Sequence, residues 1–448
     1  MQLAASEVAR AVGGLLAGPE VVVSGASIDS RTVVPGELFI PVVAERDGHR
    51  YIDDALAAGA AAYLTSAPPR GATAVVVGDT AVALAELGRH ARSGFDGPVV
   101  GITGSVGKTS VKDMAAAAIG ADRPTHASPM SFNNELGVPL TLVNRPAGAE
   151  VVVLEMGARG PDHIRKLCVM GRPTVGVVTA VGAAHIELFG TVEAVAEAKG
   201  ELVEALDRSG VAVLNADDPL VAAMAGRTEA RVLSYGRSRG EVRAAAVSMD
   251  DGLKCRFRLE TPSGRAEVVL AVPGEHMVVN ALAAAAAALA VGVGVEAIAA
   301  GLGSARLSPW RMEVTTLESG AVLINDAYNA NPVSMAAGLR SLAAVERSRR
   351  VAVLGVMAEL GSQAPTEHAA IGALARDLGI EIIPVATADY GPVPVADAAA
   401  AVAALGPLDS DTAVLVKASR VAGLESVAAA LTAAPSGGSV GIPTSEDM

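Results

Sequence analysis

One stretch near residue 100 limits the folds that this chain can adopt. The sequence PVVGITGSVGKTSVKDM begins with an apolar run, continues through a glycine-containing turn and ends in a helix-forming segment that opens with Gly-Lys-Thr. Backbone N–H groups at such a helix start, together with the helix dipole, bind phosphate oxygens. The stretch therefore predicts a strand, a phosphate-binding loop and a helix, which is typical of nucleotide-binding α/β domains.

The loop is shorter than the usual phosphate-binding loop. That pattern needs a glycine, four residues and then Gly-Lys, and the position of the first glycine holds Ile102. We interpret the loop as G-x-x-G-K-T, with glycines at Gly104 and Gly107. Lys108 is placed to reach a β or γ phosphate, and the Thr109 hydroxyl is placed to bind Mg²⁺. A chance turn in a chain with 48 glycines is the alternative, and the flanking strand and helix argue against it.

Further apolar runs around the loop predict a parallel sheet covered on both faces. The runs EVVVLEMG, TVGVVTAVG and VAVLNADDP lack polar alternation, and a helical segment follows each of them. Doubly buried strands separated by helices are typical of parallel sheets. The next segment, EVRAAAVSMDDGLKCRFRLETPSGRAEVVLAVPG, has shorter strands joined by turns, which predicts an antiparallel annex.

Length and pattern together predict three domains. Residues 1–95 contain short apolar runs between small helices, and residues 96–306 contain the phosphate loop and its sheet. The linker LSPWRME then leads into a third αβ unit, which gives a domain of residues 307–435. Residues 436–448 are predicted to be a disordered tail.

Composition and charge exclude several classes of protein. The chain has 35 Lys and Arg against 48 Asp and Glu, and only 2% aromatic residues, so no nucleic-acid partner is expected. Two cysteines, Cys168 and Cys255, cannot form a disulfide framework, which favours a cytoplasmic location. The N-terminus lacks the apolar core of a signal peptide. The Ala-rich run at 278–295 is predicted to be a helix buried between protein layers rather than a membrane span.

Motifs along nearly the whole chain resemble the Mur ligase family. The loop TGSVGKTS is similar to that of Mur ligases and the related folylpolyglutamate synthetases. Six motifs from the middle and C-terminal parts of the chain resemble most the members that add D-alanyl-D-alanine. These motifs are SFNNELGVPLTL, LEMGARGPDHI, GAAHIELFGTVEAVAEAKGE, NDAYNANPVSM, VLGVMAELG and VLVKASR. The N-terminal segments IDSRTVVPGELFIPV and ERDGHRYI resemble a UDP-binding domain. Of these motifs, DAYNANP is the most specific to that subgroup.

The resemblance implies both a fold and a reaction. The fold is α/β with three domains: a central P-loop parallel-sheet ATPase domain, a UDP-binding N-terminal domain and a Rossmann-like C-terminal domain. The reaction is the ATP- and Mg²⁺-dependent addition of D-Ala-D-Ala to UDP-MurNAc-tripeptide through an acyl phosphate, a step of peptidoglycan precursor synthesis. The partners implied are a UDP-MurNAc-peptide and a dipeptide amine, with no membrane partner, and the expected state is a monomer.

Two residues at strand ends are predicted to act with Lys108 in catalysis. Glu155 ends the run VVVLE and His185 follows the run TVGVVTAVG, so both lie where open parallel sheets bind ligands. Taken singly, Glu155 is most simply a surface carboxylate, and His185 is most simply a loop histidine whose hydrogen bonds are satisfied. Their position beside the phosphate loop favours Mg²⁺ binding, together with Thr109. The resemblance implies the same role.

Lys199 is the fourth predicted catalytic residue. Val195 and Val203 lie four residues away on either side, and the nearest acids, Glu197 and Glu201, are on other helix faces. An ion pair one helical turn away is therefore not expected. The resemblance implies that Lys199 is carbamylated and helps to hold a second Mg²⁺.

The resemblance assigns the remaining site residues. Those predicted to bind ATP are Gly104, Ser105, Val106, Gly107, Lys108, Thr109, Ser110, Asn280, Arg311 and Asp326. Those predicted to bind the other substrates are Ser30, Arg31, Asp47, Gly48, His49, Asn133, Asn134, Tyr328, Asn329, Asn331, Lys417, Ser419 and Arg420. From the residues alone, the Asn133–Asn134 pair could instead cap the following helix. The late residues could be ordinary turn or surface groups, Asp47 part of a surface ion pair, and Asn280 with His276 the polar start of a buried helix.

Four positions depart from the family pattern and leave the amine substrate open. Ala180, Met277, Val356 and Ala418 stand where the family usually has Asn, Asn, Asp and Gly. A divergent ligase that joins another amine in specialised metabolism is one alternative, and a nucleotide-binding regulatory module without ligation is another. A diaminopimelate- or lysine-adding ligase is disfavoured by DAYNANP and by the lack of a DNPR-type motif.

Overall fold

The computed structural model describes residues 2–182 and 186–433. His185 and the predicted tail at 436–448 therefore lie outside the described residues. The described chain forms an α/β structure with five sheets, which fall into an N-terminal, a central and a C-terminal group.

The N-terminal group contains short strands around a small mixed sheet. Its elements are β1 (Leu3–Ala4), α1 (Ala5–Val12), β2 (Leu15–Ala17), β3 (Val22–Val23), β4 (Ala26–Ser27), β5 (Leu38–Phe39), α2 (Ile52–Ala57), β6 (Ala62–Thr65), β7 (Ala74–Val76) and α3 (Thr80–Ser93). The five-stranded sheet has the order β2-β7-β6-β5-β4, in which only β2 is antiparallel to its neighbour, and β1 pairs with β3 separately. β4 is therefore an edge strand.

The central group has the doubly covered parallel sheet that the apolar runs predict. Its elements are β8 (Val99–Thr103), α4 (Lys108–Gly120), β9 (Thr125–Ala127), α5 (Gly137–Val143), β10 (Val151–Glu155), α6 (His163–Gly171), β11 (Val175–Val178), α7 (Ile186–Phe189), α8 (Val192–Glu204), β12 (Val211–Asn215), α9 (Pro219–Ala223), β13 (Arg231–Tyr235), β14 (Arg243–Met249), β15 (Lys254–Thr261), β16 (Gly264–Pro273), α10 (Met277–Ala290) and α11 (Val295–Leu302). The sheet order is β13-β12-β11-β8-β10-β9, entirely parallel, and β14-β15-β16 form the predicted antiparallel annex.

The Ala-rich run forms the buried helix α10, as predicted. The side chains of residues 281–288 are all fully buried, and α10 packs on α4 behind the parallel sheet. The helix ends at Ala290, five residues before the end of the apolar run, because Gly292 adopts a positive φ of 88° that ends a right-handed helix. Within residues 2–182 and 186–433, no helix is long and apolar enough to cross a membrane.

The C-terminal group is a second αβ layer that follows the linker. Its elements are β17 (Glu313–Thr316), β18 (Val322–Asn325), α12 (Pro332–Ala343), β19 (Arg349–Leu354), α13 (Ala364–Asp377), β20 (Glu381–Pro384), α14 (Ala398–Leu405), β21 (Thr412–Lys417) and α15 (Glu425–Thr432). The sheet order is β17-β18-β21-β19-β20, with β17 alone antiparallel.

The N-terminal group is joined to the central group through α5. The Asn144 side chain follows α5 and bonds both backbone groups of Ala26 on β4: Oδ1 accepts from the Ala26 N–H at 2.7 Å, and Nδ2 donates to the Ala26 carbonyl at 2.8 Å. Helix α3 also packs on α5, and Gly88 lies so close to Pro139 that a Cβ atom would come within 2.4 Å. Tight packing and the amide contact thus fix the N-terminal sheet beside the central one.

Candidate active site

A cavity of about 520 Å³ lies at the carboxyl edge of the central sheet, which is where open parallel sheets bind ligands. Its central wall comprises the loop after β8, the ends of β10 and β11, and the start of α10. Its opposite wall comes from the linker, from residues that follow β18 and from Lys417 at the end of β21. The cavity is therefore built by the central and C-terminal groups together.

The phosphate loop is shaped by two glycines that no other residue could replace without movement. Gly104 has φ 148°, and a Cβ atom there would lie 1.8 Å from Thr179 Oγ1. Gly107 has φ 83°, and its Cβ would lie 2.6 Å from Asn280 Oδ1. Residues with a side chain rarely adopt such φ angles. The turn of the phosphate loop therefore depends on Gly104 and Gly107, the two glycines of the shorter pattern.

Lys108 begins α4 and points back into the loop. Its Nζ donates a hydrogen bond to the Gly104 carbonyl at 2.7 Å, and the side chain lines the cavity. Burial lowers the pKa of Lys108, while the nearby Glu155 carboxylate opposes that shift and the Arg311 guanidinium adds to it. The ammonium is thus held over the loop at the place where a phosphate would bind.

The Thr109 hydroxyl lies at the junction of three segments. Ser131 Oγ is 3.3 Å from Thr109 Oγ1, and Arg311 Nη2 from the linker donates to Thr109 Oγ1 at 2.9 Å. The Arg311 guanidinium also stacks over the Tyr328 ring at 4.2 Å from its centroid. The predicted ATP contact Arg311 therefore meets the start of the phosphate-loop helix, and the predicted substrate contact Tyr328 stacks on Arg311.

Glu155 carries an unused acceptor into the cavity. It ends β10, its carboxylate is 1% exposed, and Asn133 Nδ2 donates to its Oε1 at 2.9 Å. Its Oε2 is buried and has no hydrogen-bond partner among the described residues. A buried carboxylate oxygen left unpaired is costly in free energy. A cation bound in the cavity would satisfy it.

Lys199 is buried on α8 at the floor of the cavity. Its side chain is 2% exposed, and no described residue forms a hydrogen bond or ion pair with its ammonium. Burial, followed by repulsion from Lys108, places the pKa of Lys199 well below its usual value. The neighbouring Glu201 instead accepts from the N–H groups of Asp162 and Arg165 at 2.7 and 2.9 Å, where it caps α6. That capping explains why α6 begins at His163.

Carboxylate and hydroxyl oxygens at the loop fit Mg²⁺ chemically. Mg²⁺ prefers oxygen ligands and usually keeps one or two protein carboxylates, phosphates and water. Glu155 Oε2 and Thr109 Oγ1 are such ligands. No group of three or more His, Cys, Asp or Glu side chains gathers as a metal site in the described parts of the chain. The predicted third ligand, His185, lies outside them.

The C-terminal wall places an ion pair in the cavity. Asp326 follows β18 and Lys417 ends the adjacent strand β21, so parallel pairing brings them together. Lys417 Nζ lies 2.5 Å from Asp326 Oδ2 and also donates to the Asn329 carbonyl at 2.9 Å. Asp326 Oδ1 accepts from the Met312 N–H at 3.2 Å. Both predicted site residues line the cavity, already paired with each other.

Comparison with known proteins identifies the family. Residues 102–288 match the Mur ligase middle domain, and residues 310–440 match the Mur ligase, glutamate ligase domain. The UDP-N-acetylmuramoyl-tripeptide–D-alanyl-D-alanine ligase of Mycobacterium tuberculosis is 41% identical, with 98% of this chain and 99% of that relative covered. The chain belongs to the Mur ligase family.

Solved structures of Mur ligases agree with this assignment. MurF from Acinetobacter baumannii has a TM-score of 0.87 at 28% identity, with 96% of this chain and 99% of that chain covered. MurF ligase from Thermotoga maritima in complex with ADP has a TM-score of 0.80 at 27% identity, with 91% and 97% covered. The expected α/β architecture of the family is confirmed.

In this Mur ligase, Asn134 bonds the turn that leads into α5, whose N-cap position is Leu136. Its Oδ1 accepts from the N–H groups of Leu136 and Gly137 at 3.2 and 2.9 Å. Asn133, by contrast, directs its amide to Glu155. Both line the cavity, so their predicted contact with a substrate carboxylate stays a prediction.

Of the predicted substrate residues in the C-terminal group, some line the cavity and others lie outside it. Asn329 lines the cavity, and so does Asn331, whose side chain accepts from the Ser334 N–H in a capping box at the start of α12. Ser419 is buried behind the wall, where its Oγ accepts from the Ala358 N–H at 2.9 Å. Arg420 lies outside the cavity, paired with a glutamate and stacked at 4.3 Å on the only tryptophan. The structure does not bring Ser419 or Arg420 to the cavity.

The predicted uridine contacts lie apart from the cavity, at the carboxyl edge of the N-terminal sheet. Ser30 and Arg31 follow β4, and Asp47 and His49 follow β5 along the chain. His49 Nδ1 is 2.7 Å from Asp47 Oδ1, and its Nε2 accepts from the Ser66 N–H at 3.1 Å, just after β6. The His49 N–H holds the pKa of Asp47 below its usual value. The surface contact considered for Asp47 is present as a hydrogen bond between the His49 ring and the Asp47 carboxylate.

The four departures from the family pattern lie at two depths. Ala180 and Met277 line the cavity beside the phosphate loop, where the Ala180 carbonyl accepts from the Ser105 N–H at 2.7 Å. Asn280 lies in the first turn of α10, where its Nδ2 donates to the Met277 sulfur at 3.4 Å and its Oδ1 faces Gly107 of the phosphate loop. Val356 and Ala418 lie behind the C-terminal wall.

Three contacts of the site escaped sequence reasoning. Ser131 opens the motif SFNNELG, yet only folding shows that its hydroxyl meets Thr109 and Arg311. Thr179 Oγ1 donates to the Val106 carbonyl at 2.5 Å and closes the loop from β11. The position of Ser131 two residues before Asn133 was the one available signal.

Proposed function

We propose that this chain is an ATP-dependent ligase that joins D-alanyl-D-alanine to UDP-N-acetylmuramoyl-tripeptide through an acyl phosphate. The name of the M. tuberculosis relative supports this substrate pair. The observation that carries the proposal is the single cavity in which the phosphate loop and Glu155 face Arg311 and Asp326 of the opposite wall. Amide ligation needs both sides, because phosphoryl transfer and amine attack occur at neighbouring atoms.

ATP would bind with its phosphates on the N–H groups of residues 104–110. Lys108 would exchange the Gly104 carbonyl for the β and γ phosphates, and Arg311 would neutralise the γ-phosphate. The tripeptide carboxylate attacks the γ-phosphorus. ADP leaves, and the carboxylate becomes the acyl phosphate. The dipeptide amine then attacks the carbonyl carbon, loses a proton and expels inorganic phosphate.

Mg²⁺ fits the proposed site through Thr109 and the open oxygen of Glu155, and His185 is proposed as a further ligand. When bound, Mg²⁺ would neutralise phosphate charge during transfer. The part of Asn133 is to hold the Glu155 carboxylate in place through its 2.9 Å hydrogen bond. Such supporting contacts commonly change metal affinity or activity by about 10–100-fold.

Carbamylation of Lys199 is proposed on the basis of its protonation state. Only a neutral amine reacts with carbon dioxide, and the lowered pKa of Lys199 favours that form. Carbamylation would convert the buried Lys199 amine, which is a cation when protonated, into an anion close to Lys108. An anion there would help to hold a second Mg²⁺.

We also propose the domain functions. Residues 1–95 would bind the uridine diphosphate through Ser30, Arg31 and the Asp47–His49 pair; residues 96–306 would bind ATP; residues 307–435 would admit the dipeptide. Tyr328, Asn329 and Asn331 line the cavity on the dipeptide side and support this assignment.

Amine-dependent phosphate release tests the proposal. The full chain is incubated with ATP, Mg²⁺ and UDP-MurNAc-tripeptide, with and without D-Ala-D-Ala, using diaminopimelate- and lysine-containing tripeptides in parallel. Phosphate release that requires both substrates is expected. Turnover only with another amine would support a divergent ligase, and ATP hydrolysis independent of any amine would support a regulatory module.

A further inference from the structure

A buried ion pair beside the phosphate loop has no part in the chemistry proposed above. Lys112 and Asp113 lie on α4, four residues after Lys108 and Thr109, with 2.9 Å between Lys112 Nζ and Asp113 Oδ1. Their side chains are only 2% and 13% exposed. Two charges withdrawn from water to this extent are costly unless further hydrogen bonds satisfy them. Their remaining contacts therefore show what the pair holds.

Lys112 holds the segment that leads to Asn133 and Asn134. Its Nζ donates to the Ser128 carbonyl at 2.8 Å and to the Met130 carbonyl at 2.6 Å. Met130 adopts a positive φ of 47°, an angle that a non-glycine residue keeps only when its surroundings impose it. The next residue, Ser131, presents its hydroxyl to Thr109.

Asp113 holds the interdomain linker. Its Oδ2 accepts from both the N–H and the hydroxyl of Ser308, at 2.7 and 2.9 Å. Three residues later, Arg311 donates to Thr109. The two partners of this contact are 195 positions apart in the chain, so folding alone brings α4 and the linker together.

The backbone of the linker is strained on both sides of Arg311. Trp310 and Met312, the residues on either side of Arg311, have positive φ angles of 61° and 49°. A non-glycine residue keeps such an angle where neighbouring contacts enforce it. The enforcing contacts lie at both ends: Asp113 on Ser308, and Asp326 on the Met312 N–H. This geometry turns the Arg311 side chain back toward the phosphate loop.

We propose that Asp113, oriented by Lys112, is a positioning residue that holds Ser308 so that Arg311 reaches the γ-phosphate of ATP. The inference rests on the proposed role of Arg311 in ATP binding. In this proposal, helix α4 fixes the position of the linker through Asp113. The phosphate loop and the Arg311 guanidinium are then aligned by the same helix.

Discrimination between ATP and ADP tests this inference without requiring ligation. Ser308→Ala removes the hydroxyl that donates to Asp113 and that also accepts a 3.5 Å hydrogen bond from Lys112 Nζ. It should weaken ATP binding about threefold to tenfold while the affinity for ADP is unchanged. Calorimetric titration of the full chain with each nucleotide, with Mg²⁺ present, measures both. Ser304→Ala is the matched control, because the Ser304 hydroxyl bonds the Gly301 carbonyl near the end of α11 and no other group in the described part of the chain. It should bind both nucleotides as the unmodified chain does.

A double-mutant cycle separates positioning from simple stabilisation. In an Arg311→Ala background, Ser308→Ala should change ATP affinity by less than about twofold, because no guanidinium remains to be positioned. Asp113→Asn should behave as Ser308→Ala does in both backgrounds. Equal losses for ATP and ADP, or losses that multiply with those of Arg311→Ala, would overturn the inference. If the unmodified chain releases no phosphate with the proposed substrates, the ligase proposal fails, while the ATP–ADP comparison still decides on Asp113.

Discussion

The two walls of the cavity hold their polar groups in opposite ways. On the central wall, Glu155 Oε2 and the Lys199 ammonium have no hydrogen-bond partner among the residues that the structure describes. On the C-terminal wall, Lys417 is paired with Asp326, and Asn331 caps its own helix. A buried polar group without a partner is costly in free energy unless a ligand completes it. These groups indicate ligand binding at the central wall and at Arg311 of the linker, whose Nε also lacks a partner among the described residues, whereas the Asp326–Lys417 pair helps to keep the C-terminal wall in shape.

Removing a charge from the central wall should give the largest effect. Lys108→Ala should lower the rate of phosphate release by about 10²–10³-fold, because the charge lies where phosphoryl transfer develops negative charge. The stability of the fold should change little, since the Gly104 carbonyl is the only hydrogen-bond partner of the Lys108 side chain among the described residues. Steady-state kinetics and thermal unfolding of the same preparation measure both quantities.

Lys166→Ala is the matched control for this variant. Lys166 is an exposed lysine of α6 and lies outside the cavity. The comparison between the walls would break down if Lys108→Ala retained more than a tenth of the rate of the Lys166→Ala control.

On the C-terminal wall, the main effect should be on stability. Asp326→Ala leaves the buried Lys417 without its partner and should lower the free energy of unfolding by about 3 kcal/mol. Adding Lys417→Met should recover most of that loss. Urea denaturation of the single and double variants measures it. Glu229→Ala breaks an exposed ion pair with Arg208, whose side chains are 70% and 82% exposed, and should cost less than about 1 kcal/mol. Equal losses for Asp326→Ala and Glu229→Ala would refute the assignment of a structural role.

Lys199→Ala sharpens the description of the central wall. Activity should fall about 10–100-fold, as for other groups that support a metal site. Added short carboxylates should restore part of it, because they can replace the lost carbamate anion. Full turnover of Lys199→Ala without any added carboxylate would contradict carbamylation. Lys166→Ala again serves as the control and should show no response to carboxylates.

His276 lies between the walls and should give the smallest effect. Burial lowers its pKa, while Asp326 raises it and Lys417 lowers it further. The unfolded chain therefore binds more protons between that lowered pKa and about 6.5, so the free energy of unfolding falls as the pH is lowered through this window. The slope is at most about 1.4 kcal/mol per pH unit.

Comparing His276→Gln with the unmodified chain by urea denaturation from pH 7.5 to 5 checks this. The variant should lose less stability on acidification. Parallel curves for the two proteins would show that His276 is not the group responsible.

The central wall was largely predictable and the C-terminal wall was not. The phosphate loop and Glu155 follow from local patterns, because a strand end and a helix start position them directly. The pairing of Lys417 with Asp326 depends on which strands become neighbours, and the charge of Lys417 alone suggested a ligand contact. The hydrogen bonds of Asn134 and the Asp113–Ser308 contact likewise depend on partners that only the folded chain supplies.

The contact between Asn144 and Ala26 has a consequence for how the protein can be dissected. Edge strands with free backbone groups invite pairing with other molecules and hence aggregation. In the intact chain, the Asn144 amide occupies the N–H and C=O of Ala26 on the edge strand β4. A fragment that ends at residue 95 would lack this amide and expose the edge, so we expect it to self-associate at concentrations at which the whole chain does not.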